Sequence, residues 1–332
     1  MPGVLVVGAG AVGGYVAAHL ARAGETVAVL EDWAPNRDAI RAQGMAVEEP
    51  DGDFVVPMRV VARAAEAAPD LVILCTKLAD AGQAVAATER DHRGPYLVTL
   101  NALADLDIAQ QLGAGRVMGC IATGLFAHLV APGRVRRHRR RHDGGAATFR
   151  IGETAGPATP RVHDMVRLLG QVDRAEAVDD LPGARWTKLV FNCMTSPLCA
   201  LHRTTLRSLF EEARLRAEMT TVALEVVSVA AAAGIALDPV CDIAGETWTA
   251  AARGVGAARA TLDAGLRRYG AKVDAGATSG MAQDLARGRR TEVAFVNGAV
   301  VAEARRLSLA APGNAALVDA LEAISPSVAG GS

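Results

Sequence analysis

At 332 residues the chain has room for two domains of ordinary size, and its 51% hydrophobic and 21% charged content excludes a disordered polymer. A formal net charge of −1 provides no global attraction to nucleic acid or to an acidic membrane surface. The five cysteines, at positions 75, 120, 193, 199 and 241, show neither a disulfide framework nor metal-ligand spacing, which suits reduced thiols in a cytoplasmic protein without a metal.

Val4–Val7 is an unbroken aliphatic run, the pattern of a parallel strand buried on both faces. No basic leader with a cleavage site precedes it. The run opens directly into Gly8-Ala9-Gly10-Ala11-Val12-Gly13, then an alanine-rich helix over 15–23, then a second strand over 26–30 that closes on Glu31-Asp32. Gly8 suits the tight turn, Gly10 the approach of a pyrophosphate, and Gly13 close packing of helix on strand. The helix N-terminus offers unbonded N–H groups to phosphates, and Ala11 and Val12 of the loop are candidate cofactor residues. Glu31, about 20 residues on, can accept hydrogen bonds from the adenosine ribose. Together these parts predict a Rossmann-type dinucleotide site.

FAD-binding folds open the same way, but no second FAD contact is legible in the C-terminal half. NAD(H) is therefore favoured, and Glu31 would repel the 2′-phosphate of NADP(H). Arg37 lies near enough in sequence to keep NADP(H) open.

Further strands are expected over 71–75, 96–100, 117–126 and 146–151. In open α/β sheets ligands sit outside the carboxyl ends of the strands. Lys77 and Asn101, just past two such ends, are candidate cofactor residues; as alternatives they start a solvated helix and a turn. The basic run 134–142 reads as a solvated hairpin loop after Pro132-Gly133, with an anion-docking site as the alternative.

Past Leu181-Pro182-Gly183 the pattern becomes helical, which divides the chain into a Rossmann domain over 1–180, an all-α domain over 181–326 and a flexible tail over 327–332. The longest uncharged stretches, such as 226–237, are shorter than the ~20 residues of a membrane span. On a helix over 184–201, Lys188 and Asn192 share a face, continued by Thr195 and Ser196. Only three of the 35 Lys and Arg residues are lysines, at 77, 188 and 272. A lysine set among Leu189, Val190, Cys193 and Met194 either has its pKa lowered into proton-donating range or snorkels to water. A second polar island holds Ser279, Gly280 and Glu292, the last being either a substrate residue or an acid in a helix first turn.

Several of these segments resemble the ketopantoate reductase (2-dehydropantoate 2-reductase) family along nearly the whole length. The matching stretches are VVGAGAVGGY, the strand ending CTK, Asn101 within TLNAL, KLVFNCMTSPLCAL, and TSGMAQDLARGRRTEVAFVNG. The resemblance implies a C-terminal helical domain of the 6-phosphogluconate dehydrogenase type and an interdomain cleft that closes on cofactor and acid. It implies that Lys188 is the general acid for the keto oxygen, with Glu292 and Asn192 orienting lysine and substrate. It further implies that Lys77 and Asn101 hold nicotinamide and substrate near one another, with Asn101, Asn192, Ser196, Ser279 and Gly280 towards the substrate.

Departures from the family pattern are Glu31 in place of an arginine and Ser196 in place of an asparagine. Gly280 replaces a serine, and Leu100 and Ala102 replace a glutamine and a glycine. Lost hydrogen-bonding groups favour a 2-oxo acid other than ketopantoate. An imine or opine-type reduction, or a non-catalytic NAD(P)-sensing role, are the alternatives. Apolar C-terminal helices are compatible with a homodimer.

Overall fold

The computed structural model describes residues 3–143 and 147–325, so the expected tail over 327–332 lies outside the described residues. Two compact units divide between Leu181 and Pro182.

The first unit is an α/β domain. Its leading segment runs β1 (Val4–Val7), α1 (Ala11–Arg22), β2 (Val27–Leu30) and α2 (Ala34–Gln43). Next come β3 (Met45–Glu48), β4 (Phe54–Val56), β5 (Arg59–Val61), α3 (Ala64–Ala67), β6 (Leu71–Leu74) and α4 (Ala81–Thr88). The unit continues through β7 (Tyr96–Val98), α5 (Ala104–Leu112), β8 (Val117–Ala122), β9 (Ala127–Ala131) and β10 (Arg134–Arg137). It closes with β11 (Phe149–Glu153), α6 (Pro160–Gly170) and β12 (Ala175–Ala177).

The main sheet has the order β12-β11-β8-β7-β6-β1-β2-β5. Its pairings are parallel except where β11 meets β8. From β1 the chain builds outward through β2 and β5 on one side, then returns to build through β6 and β7 on the other. The switch point between β1 and β6 is where an open α/β sheet leaves a ligand crevice. Strands β1, β2 and β6 are buried at every position, which explains their uninterrupted aliphatic runs.

A second sheet, β4-β3-β10-β9, was not legible in the sequence. It packs with α1 in the core cluster that joins Tyr15 and Val16 to Met45, Val47 and Val135. Helix α1 thus lies between two sheets. A side chain at Gly14 would press on Ala9 O, Met45 and Val135, so the helix must be small-residue rich on this face too.

The basic run 134–142 departs in part from the expected solvated loop. It is a hairpin whose basic side chains are mostly exposed, as expected, but Arg134–Arg137 is strand β10 rather than loop, and Val135 and Arg137 on it are buried. Five of its six arginines pair with acids, two of them sharing one carboxylate. Arg134 and Arg136 pair with Glu48, Arg139 with Asp143 and Arg140 with Asp51. Arg137 is buried, 2.5 Å from buried Asp173, and donates to the Tyr15 hydroxyl. Strand β8 ends at Ala122 rather than 126; beyond it Gly124 and Phe126 take left-handed φ values of 69° and 46°, which strand geometry does not allow.

The second unit is helical: α7 (Leu181–His202, entered from the last residue of the first unit), α8 (Leu206–Glu211), α9 (Ala213–Ala232), α10 (Gly245–Ala252) and α11 (Gly256–Gly270). Helices α12 (Gly280–Ala286), α13 (Val293–Arg306) and α14 (Pro312–Ile324) complete it. The five cysteines are free. No described helix is long and apolar enough to cross a membrane.

Candidate functional site

Across the carboxyl rim of the main sheet, β2, β1, β6 and β7 end level with one another. Val7 is in register with both Leu30 and Leu74, and Leu74 with Val98. The ladder continues one step beyond, through Gly8 N to Leu30 O, Cys75 N to Val7 O and Thr99 N to Leu74 O. The residues leaving the rim are therefore Glu31, Gly8, Cys75-Thr76-Lys77 and Thr99 through Asn101. Three strand gaps at about 4.8 Å make this rim about 14 Å wide.

The glycine loop has the shape a pyrophosphate requires. Gly8 sits at φ 87°, which glycine adopts without strain. A side chain on Gly13 would collide with the Gly8 carbonyl and Cys75, whereas one on Gly10 would meet nothing within 4 Å. The open side of the loop is thus at Gly10, directly before the first turn of α1. That helix begins at Ala11, four residues earlier than the alanine run suggests, so Ala11, Val12 and Gly13 form its first turn.

Glu31 is fixed by three donors. Its Oε2 accepts from the Ala9 N–H at 2.9 Å and from Asn36 Nδ2 at 2.8 Å, and its Oε1 accepts from the Trp33 N–H at 3.0 Å. Asn36 is buried and also donates to Ala9 O, while its Oδ1 accepts from the Gly133 N–H of the β9–β10 turn. One amide therefore ties acid, glycine loop and second sheet together. Arg37 directs its Nε to Asp38, 3.2 Å away.

The Thr76 hydroxyl, beside Gly8, is buried without a hydrogen-bond partner, an orphan polar group of the kind a ligand can satisfy. Its neighbour Lys77 is exposed, and Asn101 is half-buried before Ala102, a non-glycine residue at φ 54°. The Cys75 thiol is pushed up to about 12 by burial, against a bond from Thr99, so it stays protonated and inert. These features fit a dinucleotide: an open loop, a fixed acid and an unsatisfied hydroxyl on one rim. Sequence reasoning passed over Thr76 and Asn36, whose roles become apparent only from burial and pairing.

In the second unit, α7 is buried nearly all round, and Lys188, Asn192 and Ser196 form a half-buried stripe at i, i+4 and i+8 beside Thr187 and Phe191. Thr195 does not continue that stripe. It is buried and its hydroxyl donates to Phe191 O. Pro197 lies inside the helix and cannot bond back to Cys193 O. That carbonyl instead accepts from Asn297 Nδ2 of α13 at 3.2 Å.

Ser279 caps α12, accepting from the Ala282 N–H, and donates to Ser196 O at 2.9 Å. Its hydroxyl is thus committed to holding α12 against α7, while a side chain at Gly280 would meet open space. Glu292 is not in the first turn of α13 but precedes it, and its side chain makes no capping bond to that helix. Of the three lysines, Lys272 forms an exposed ion pair with Asp242, so scarcity alone does not mark a lysine as functional. Among the described residues no group of three or more His, Cys, Asp or Glu could hold a metal ion.

Comparison with known proteins bears on both units. The family description "Ketopantoate reductase PanE/ApbA" matches residues 4–156, and its C-terminal counterpart matches residues 180–325. A 2-dehydropantoate 2-reductase of Halobacterium salinarum is 29% identical over 317 residues, covering 93% of this chain and 94% of that one. One of Mesorhizobium japonicum is 29% identical over 257 residues, 70% of this chain and 77% of its own. A solved PanE/ApbA family ketopantoate reductase from Ralstonia eutropha JMP134 superposes with a TM-score of 0.78 at 26% identity, covering 97% of both chains. D-mandelate dehydrogenase in complex with NADH shares the fold at a TM-score of 0.77, with 19% identity and coverage of 96% of this chain and 97% of that one.

Proposed function

The chain belongs to the ketopantoate reductase family, and on that premise we propose that it reduces a small 2-oxo acid other than ketopantoate, using NADH and a proton from Lys188. Membership makes it a nicotinamide-dependent oxidoreductase of 2-oxo acids. The bound nicotinamide supplies the hydride.

The residues of the chain do the rest. Gly8, Gly10, Ala11, Val12 and Gly13 receive the pyrophosphate, and Glu31 accepts from the adenosine ribose. Lys77 and Asn101, at the ends of β6 and β7, orient the nicotinamide end. Lys188 delivers the proton to the keto oxygen, Asn192 hydrogen-bonds the substrate one turn on, and Glu292 orients the lysine. Ser196 and Gly280 contact the acid, with Ser279 positioning both elements.

The observation that carries the NADH reading is the three-donor clamp on Glu31. A carboxylate held in this way cannot swing aside, and its charge opposes a 2′-phosphate. The substrate reading draws on the residue types at Leu100, Ala102, Ser196 and Gly280, which carry fewer hydrogen-bonding groups than the family pattern. Reduced cysteines and apolar C-terminal helices support a cytoplasmic homodimer as part of the same reading.

The test is a panel of 2-oxo acids with NADH and NADPH, followed by nicotinamide absorbance. We expect higher kcat/KM with NADH and with an acid other than ketopantoate. Lys188→Ala should lose about 100-fold or more in kcat with cofactor affinity retained. Turnover of none of these acids, or a Lys188→Ala variant as fast as the parent, overturns the proposal. A second reading, ketopantoate itself, rests on the names of the curated relatives and wins if that acid has the highest kcat/KM.

A further inference from the structure

The chain has three tryptophans, at 33, 186 and 248. Trp186 and Trp248 are buried at 3% and 0% exposure, whereas Trp33 is 51% exposed. Trp33 stands three residues past the end of β2, and its own N–H holds Glu31 Oε1 at 3.0 Å. Its backbone is extended, at φ −71° and ψ 105°, and immediately precedes α2. Asn36, in the first turn of that helix, locks the same corner to the glycine loop. The backbone that carries the indole is therefore bonded to Glu31, on an anchored segment.

We propose that Trp33 lays its indole against the adenine ring of the dinucleotide, supplying by stacking the affinity that a cationic grip on a 2′-phosphate would otherwise provide. The proposal rests on the cofactor reading above and adds a specificity-determining residue to it. An acid at position 31 gives up the charge attraction available to a 2′-phosphate site, and an aromatic face compensates without regard to charge. Stacking of a base on an aromatic side chain is sequence-tolerant and typically changes affinity tenfold or more.

The experiment uses the exposed indole as its own reporter. 5′-AMP and ADP-ribose are titrated against the full chain by tryptophan fluorescence, and these two ligands and NADH by calorimetry, which gives the Kd values. We expect both adenine nucleotides to quench the parent and to leave Trp33→Leu unquenched. In that variant Kd for AMP, ADP-ribose and NADH should rise about tenfold, while Trp33→Phe, which keeps an aromatic face, retains most of the affinity. The exposed position predicts parental melting temperatures for both variants. Quenching that persists in Trp33→Leu, or unchanged Kd values, overturns the stacking role while leaving the cofactor reading intact. A parent chain that binds neither NADH nor NADPH overturns the cofactor reading itself, and this proposal with it.

Discussion

Ala102 occupies a left-handed backbone conformation, φ 54°, in the turn that follows β7 and Asn101. For a residue with a Cβ this costs about 1 kcal/mol. The glycine usual in the family at this place would adopt it freely, although glycine also gains about 0.4–1 kcal/mol of unfolded-state freedom. Ala102→Gly should therefore leave stability unchanged or raise it by up to about 1 kcal/mol, as read by denaturant unfolding. A loss of about 1 kcal/mol, the usual result in a helix interior, would show that the turn carries no strain. At this scale the sequence displays residue type but not conformation: the alanine is legible as a departure, and its backbone angle is not. Thr195 shows the same limit, since position on a helical wheel could not reveal that its hydroxyl turns back to Phe191 O.

Helix α7 illustrates how one element obliges another. Pro197 removes a donor from the ladder, and Asn297 of α13 supplies the missing hydrogen bond to Cys193 O. Asn297 also donates to Asn314 Oδ1 of α14 at 2.9 Å, joining three helices. Asn297→Ala leaves the Cys193 carbonyl buried without this partner and should cost about 1–3 kcal/mol, measured by thermal or denaturant melting; a cost under about 0.5 kcal/mol would mean that the helix repairs itself. Long, strongly periodic elements such as α7 and the buried strands β1, β2 and β6 were legible because period and composition agree. The second sheet was not. Its strands are three to five residues long, and β10 finds its parallel partner β3 from far along the chain, a pairing that no local pattern encodes.

Across the whole first unit, charge is buried as well as displayed. Arg137 and Asp173 have side chains exposed by only 1% and 0%. Burial pushes the Asp173 carboxyl up. The His142 N–H, Thr148 hydroxyl, Arg174 N–H and Arg137 guanidinium outweigh it and hold the group below the usual carboxylate range. Because the folded carboxyl titrates below its unfolded value of about 3.9, its contribution to stability is complete above about pH 4 and is lost as pH falls through the folded value. Asp173→Asn strands a buried guanidinium and should destabilise by about 3–5 kcal/mol near neutrality, with the gap to the parent narrowing in acid. A gap that stays constant down to pH 2 would show that the carboxylate charge is not what stabilises the fold. The sequence displayed this arginine within a basic run and suggested solvent; its burial depends on pairing with Asp173, which lies far along the chain.

The position of α1 between two sheets has a thermodynamic consequence for whatever the glycine loop receives. The helix start is clamped from both sides, and Asn36 ties the Ala9 carbonyl and the Glu31 carboxylate to the turn at Gly133. The loop is therefore already in its receiving shape before a ligand arrives. Little conformational entropy is surrendered there on association, so favourable contacts appear almost undiminished in the affinity.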